Sequence, residues 1–171
     1  MIRAPIPTNR GTVMKKNQLL GALLALVSGV TIATAGEGAD PVLGTWHLDA
    51  GKSTFTAGPA LKEQTRTYTQ SGPSLSLVMK SVTADGKQGT MKTTYQLDGK
   101  DYPVTGSPDY DALSGKQVDS HTAEFALKKG GKQMGTSNRM VSADGKTLTS
   151  KMNVTSASGE KTDQTLVFHK K

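Results

Sequence analysis

The chain has 171 residues, no cysteine and a formal net charge of +7, with 21 Lys and Arg against 14 Asp and Glu. Without cysteine there is no disulfide framework and no thiol nucleophile, so stability rests on the core alone. The basic residues are dispersed, with no run longer than the pairs Lys15-Lys16, Lys128-Lys129 and Lys170-Lys171, which excludes the concentrated basic face that nucleic-acid binding requires.

The first element is a leader. Met14-Lys15-Lys16 supplies a short basic region, and an apolar stretch follows from Leu19 through Leu23, Leu24, Leu26, Val27, Val30 and Ile32 to Ala33-Thr34-Ala35. That order, closing on a small-x-small pattern, reads as a signal peptide over residues 1–35 cut before Gly36, with residues 1–13 an upstream extension and Met14 the start. Gly21, Ser28 and Gly29 interrupt the run, which falls short of the ~20 apolar residues of a membrane span. The expected location is therefore periplasmic or secreted, with no membrane span after processing and no lipid anchor, since no cysteine follows the cut. Arg3, Arg10, Lys15 and Lys16 leave with the leader, so 17 of the 21 basic residues remain against the same 14 acidic ones. That balance is mild.

Residues 36–42 read as a short linker and 43–171 as one domain, long enough to bury a core. Helix signals are almost absent. Stretches rich in β-formers alternate with turns at Asp85-Gly86-Lys87, Asp98-Gly99-Lys100, Gly130-Gly131-Lys132, Asp144-Gly145-Lys146 and Ser158-Gly159-Glu160; Asp-Gly and Gly-Gly tolerate the positive φ of tight hairpins. Ten strands are predicted, over residues 43–49, 63–71, 74–83, 88–97, 100–105, 112–119, 121–128, 132–142, 146–155 and 161–169. The spacing predicts an all-β meander closing as an antiparallel up-and-down barrel of 8–10 strands. Val82–Lys87 echoes Val141–Lys146, which reads as shared turn chemistry and not as a repeat. Residues 50–62 and 106–111, rich in Gly, Pro and Ser, are predicted loops over a barrel mouth.

Period-two alternation sorts side chains by face. Leu75, Leu77 and Met79 fall together, as do Met91, Thr93, Tyr95 and Leu97; His121, Ala123, Phe125 and Leu127; Met134, Thr136, Asn138 and Met140; and Leu148, Ser150, Met152 and Val154. These faces mix apolar with polar groups. With only 5% aromatic residues, the barrel is expected to be partly hollow and wet, because unpartnered hydroxyls and amides are costly in a solid core.

The expected ligand-binding residues are Arg66, Tyr68, Leu77, Met91, Tyr95, Phe125, Asn138 and Met152. Leu77, Met91, Phe125 and Met152 would give apolar contact, while Arg66, Tyr68, Tyr95 and Asn138 would fix a polar or anionic end. Arg66 and Tyr68 share one face of their strand and, if inward, would clamp a carboxylate or phosphate. Because arginine is seldom buried, the expected arrangement is the opposite one, with Arg66 and Tyr68 outward and Thr65, Thr67 and Thr69 inward.

No metal site is expected: His47, His121 and His169 lack ligand spacing with each other or with a carboxylate, and Asp109-Tyr110-Asp111 lacks the ligand count of a calcium loop. No cofactor is implied. No nucleophile motif or placeable acid pair appears, so the chain reads as a binder more than an enzyme, with no catalytic residue assigned.

Gly44-Thr45-Trp46 opens the first strand of the domain. In this it resembles the calycins, the lipocalins and fatty-acid-binding proteins, whose first strand begins with Gly-x-Trp. The resemblance implies that Trp46 plugs the barrel floor and that Lys170, near the end of the last strand, covers it. Through Lys52-Ser53-Thr54-Phe55 and Asp101-Tyr102-Pro103-Val104-Thr105-Gly106 the chain also resembles exported bacterial lipocalin-like proteins of unknown function. It departs from fatty-acid-binding proteins in two ways: residues 50–62 are too short for their two-helix lid, and the last strand lacks their Arg-x-Tyr. The first functional reading is an exported, monomeric protein holding a small amphiphilic or hydrophobic ligand. The alternatives are a protein-interaction or structural module with a filled barrel, and a cavity isomerase or cyclase using Tyr95, Tyr68 or Arg66. An integral outer-membrane barrel is set aside because the outward faces carry Thr, Lys and Ser rather than an apolar band.

Overall fold

The structure, a computed structural model, describes residues 39–56, 60–156 and 159–171. The predicted leader lies outside the described residues. Strand β1 (Gly44–Leu48) leads through a 3-10 turn (Ala50–Lys52) to β2 (Thr54–Phe55), then β3 (Leu61–Ser71), β4 (Ser74–Thr83), β5 (Gln88–Tyr95), β6 (Asp98–Thr105), β7 (Ala112–Gln117), β8 (Thr122–Lys129), β9 (Lys132–Val141), β10 (Thr147–Thr155) and β11 (Lys161–Lys170). The pairs of neighbours are antiparallel, and β1 bonds to both β3 and β11. The ring therefore closes with ten strands, while β2 forms an extra rung on β11. This is the architecture of the lipocalin and fatty-acid-binding type. No helix among the described residues is long and apolar enough to cross a membrane.

Local chemistry explains the meander. In the β4–β5 turn Gly86 N donates to Thr83 O at 2.9 Å and the Thr83 hydroxyl donates to Asp85; in the β9–β10 turn Gly145 N donates to Ser142 O at 2.8 Å and Ser142 Oγ to Asp144 Oδ1 at 2.5 Å. The echoed hexapeptides thus build the same hydroxyl-to-carboxylate turn twice. Two boundaries differ from the predicted ones. Asp98-Gly99-Lys100 lies inside β6 as an irregularity in its pairing with β7, and Gln96-Leu97 makes the connection; glycine's positive φ serves a bulge as well as a turn. Residues 50–62 hold the 3-10 turn and β2, with Ser53 Oγ accepting from Val167 N at 3.0 Å.

The core runs from Trp46, Phe168, Leu148, Val42 and Val141, all 0–2% exposed, up through Leu166, Leu77 and Leu127. Leu75–Leu77 on β4, Met91–Tyr95 on β5, Ala123–Leu127 on β8 and Leu148–Val154 on β10 present their predicted faces inward. Strands β3 and β9 do not. On β3 the inward residues are Gln64, Arg66 and Tyr68, and on β9 they are Ser137, Arg139 and Val141, so Thr136, Asn138 and Met140 face out, while Met134, at the register shift between β8 and β9, packs half-buried against the core. Register decides both cases. Arg66 pairs with buried Trp46 across β1–β3, and Arg139 pairs with buried Ala123 across β8–β9; directly paired residues share a side of the sheet.

Candidate functional site

Trp46 sits at one end of the barrel, fully buried, with Nε1 donating to Val42 O at 2.6 Å. Lys170 Nζ lies 5.1 Å from the Trp46 ring centroid and donates to Pro41 O at 3.3 Å. The segment before β1 is tied in beneath this floor. Asp40 accepts from Val42 N at 2.9 Å through Oδ1 and from Arg139 Nη2 at 2.9 Å through Oδ2. Arg139, only 3% exposed, also donates from Nη1 to the Tyr95 hydroxyl at 3.2 Å, and its guanidinium lies 5.8 Å from the Tyr68 ring centroid. Burial pushes the Tyr95 phenol well above its ordinary value, although Arg139 opposes the shift. One buried cation is therefore paired with one carboxylate.

Above this layer a cavity of about 100 Å³ opens inside the barrel. Arg66 forms part of its wall at 7% exposure, with Nε donating to Gln64 Oε1 at 2.9 Å and Cζ 4.4 Å from the Phe168 ring centroid. Among the described residues no carboxylate pairs with Arg66, and its Nη groups donate to no protein atom. Tyr68, Leu77, Met91, Tyr95, Phe125 and Met152 line the same space. Tyr95 meets Phe125 edge to face at 5.5 Å. At the far end Tyr110 reaches in from the 106–111 loop, and its hydroxyl donates to Met91 Sδ at 3.2 Å. That loop turns at Gly106, where φ is +81° and a Cβ would lie 1.9 Å from Thr90 O, a position only glycine can hold.

Seven of the eight sequence-derived binding residues thus meet at one cavity. The exception is Asn138, which lies on the outer face, in an open groove of about 930 Å³ across β7–β11. The outward arrangement expected for Arg66 and Tyr68 is corrected: both face the interior, and Thr65, Thr67 and Thr69 do not. Phe168 supplies the reason, since its ring takes the guanidinium face that water would otherwise cover. The interior is also less hollow than its mixed lining implied, because Met79, Tyr110, Arg66 and Arg139 fill it. His47 and His169 are exposed, and no metal-holding group of His, Asp and Glu occurs among the described residues.

Arg139, Gln64, Tyr110 and Ser150 were missed from sequence. Ser150 was sorted correctly by face but not assigned a role. The signal for Arg139 was Val141 two residues on, an apolar residue in the same phase.

No family model and no curated protein matches this chain. Among solved structures, Rv2717c from M. tuberculosis superposes with a TM-score of 0.51 at 15% identity, over 77% of this chain and 93% of that one. The two share a fold. The siderocalin Ex-FABP, described as acting through dual ligand specificities, matches at a TM-score of 0.35 and 9% identity, over 77% of this chain and 74% of that one. That likeness is too slight to bear on the ligand.

Proposed function

We propose that the chain is an exported, lipocalin-like binding protein that holds a small ligand with an apolar body and an anionic end inside the barrel. One observation carries the reading: Arg66 is buried at 7% exposure with an amide and an aromatic ring as partners and no carboxylate. An uncompensated buried cation costs several kcal/mol, and a ligand anion on its Nη edge would offset that by charge-assisted hydrogen bonds. Leu77, Met91, Phe125 and Met152 give the apolar wall, the combination typical of small-molecule pockets. Export rests on the leader pattern ending at Ala33-Thr34-Ala35. A cut before Gly36 spares Asp40 and Val42, which hold the barrel floor.

The isomerase or cyclase alternative needs a proton carrier near neutral pH, whereas burial drives the Tyr95 phenol the other way. The filled-barrel interaction module has a specific observation behind it, since about 100 Å³ is below the ~300–1,000 Å³ of drug-sized ligand pockets. Thermal melting of the full chain separates the two readings. Carboxylates and sulfonates small enough to enter the barrel are expected to raise the melting temperature while their neutral amides and alcohols leave it in place. Arg66→Gln is expected to weaken the best anion by about 10- to 100-fold, the size of a lost hydrogen bond to a charged group. Equal responses to anionic and neutral compounds would remove the anionic end while leaving a binding barrel, and no response to either would favour the interaction module.

A further inference from the structure

Resting on the reading above, we infer that the ligand is a short carboxylate carrying a single negative charge. Three independent features of the interior converge on that class.

The first is the charge count. Arg66 and Arg139 are the two buried cations, at 7% and 3% exposure, and Asp40 alone is paired with them, through Arg139 at 2.9 Å. One positive charge is left over, and it sits on Arg66. A monoanion cancels it. A phosphate monoester, at about −1.5 to −2 near pH 7, would leave a buried negative charge with no second cation to meet it. Lys170, the nearest ammonium to the floor, is turned away onto the Trp46 ring and Pro41 O.

The second is the geometry of the free donors. Gln64 Oε1 takes Arg66 Nε, and Phe168 takes one face of the guanidinium. What remains toward the cavity is the Nη edge, a flat pair of donors that matches the two oxygens of a planar carboxylate. Two further groups on the cavity wall add donors. Ser150, 3% exposed, makes no side-chain hydrogen bond within the protein, and the Gln64 amide nitrogen, on a residue 6% exposed, is likewise unpartnered. Arg66, Gln64 and Ser150, all more than nine-tenths buried, therefore turn groups without a protein partner to one small space, and Arg139 Nε on its wall is buried without a partner as well. Buried polar groups are ordinarily paired, and a bound anion with its own acceptors would pair the first three.

The third is size. A cavity of about 100 Å³ lies below the ~300–1,000 Å³ of drug-sized ligand pockets, which favours a small ligand. Acetate, propionate or butyrate fits this space, with the alkyl end toward Met91 and Met152. A long acyl chain would have to expel Tyr110 from its contact with Met91.

Isothermal titration of the full chain at pH 7 tests the inference with four probes: propionate, its neutral isostere propionamide, octanoate and inorganic phosphate. Propionate is expected to bind, propionamide at least tenfold more weakly, and octanoate and phosphate not measurably. Arg66→Lys, which keeps the charge but loses the flat edge, is expected to weaken propionate at least tenfold, and Ser150→Ala to weaken it severalfold. Should Arg66→Lys fail to fold, Ser150→Ala and the propionamide comparison decide the matter. Octanoate or phosphate binding as tightly as propionate would overturn the short-monoanion inference while leaving an anion-binding barrel. Failure of every anion, with the unpartnered groups satisfied by water alone, would remove both.

Discussion

Replacing Trp46 with alanine is expected to lower the unfolding free energy by about 3–5 kcal/mol, the usual cost of truncating a large core aromatic. The indole is fully buried, and its Nε1 bond to Val42 O at 2.6 Å joins the segment before β1 to the ring of strands. Its loss would also strip Lys170 of its aromatic partner, 5.1 Å away. Urea unfolding followed by circular dichroism measures the change. Trp46→Phe keeps most of the contact area and loses the hydrogen bond, so its cost should be much smaller, near 1 kcal/mol plus residual packing loss. A Trp46→Ala midpoint close to that of the parent chain would mean that the floor is not held by this residue.

The second large effect is expected at the buried ion pair. Arg139→Met should cost about 3–5 kcal/mol, because removing one partner leaves the other as an uncompensated charge. Asp40 is only 14% exposed at its side chain, and the Tyr95 hydroxyl would lose its donor in the same step. Asp40→Asn should cost less, since the amide still offers an acceptor. The double variant should lose less than the sum of the two, by about 1–3 kcal/mol for residues in direct contact. Strict additivity in that cycle would contradict the pairing. Arg66 makes the informative contrast. It is equally inward but has no anion to abandon, so Arg66→Met should be nearly neutral or stabilising in the absence of ligand. Opposite responses from two buried arginines would show which one is compensated inside the protein and which awaits a charge from outside.

The division between what the sequence makes legible and what it hides follows the same two arginines. Strand existence is plain because period-two alternation runs through β4, β5, β8 and β10 with apolar residues on one side, and the Asp-Gly and Gly-Gly pairs punctuate it. Phase is plain wherever one face is clearly apolar, as for Leu75, Leu77 and Met79. It is lost on β3, where threonines and an arginine alternate, and on β9, where Met140 sits on the outer face and a register shift breaks the alternation before Met134. There the general rule that arginine is exposed points the wrong way. Aromatic rings and Asp40 shelter the guanidinium groups, and none of those partners lies near in sequence. Asn138 was misplaced by the same inversion. Cavity size was beyond reach for another reason. It depends on how far Tyr110, Met79 and the arginines fill the ring, and that is set by loop geometry at Gly106 and by register, which alternation does not encode.

The central claim is that Arg66 receives an anion inside the barrel, and methionine methyl NMR of the full chain tests it most directly. Met79, Met91 and Met152 line the cavity, whereas Met140 is 45% exposed on the outer face. Titration with propionate is predicted to shift the Met91 and Met152 methyl resonances in a saturable way, to leave Met140 in place, and to have no such effect in Arg66→Met. Shifts confined to Met140, or cavity shifts that survive unchanged in Arg66→Met, would contradict the account.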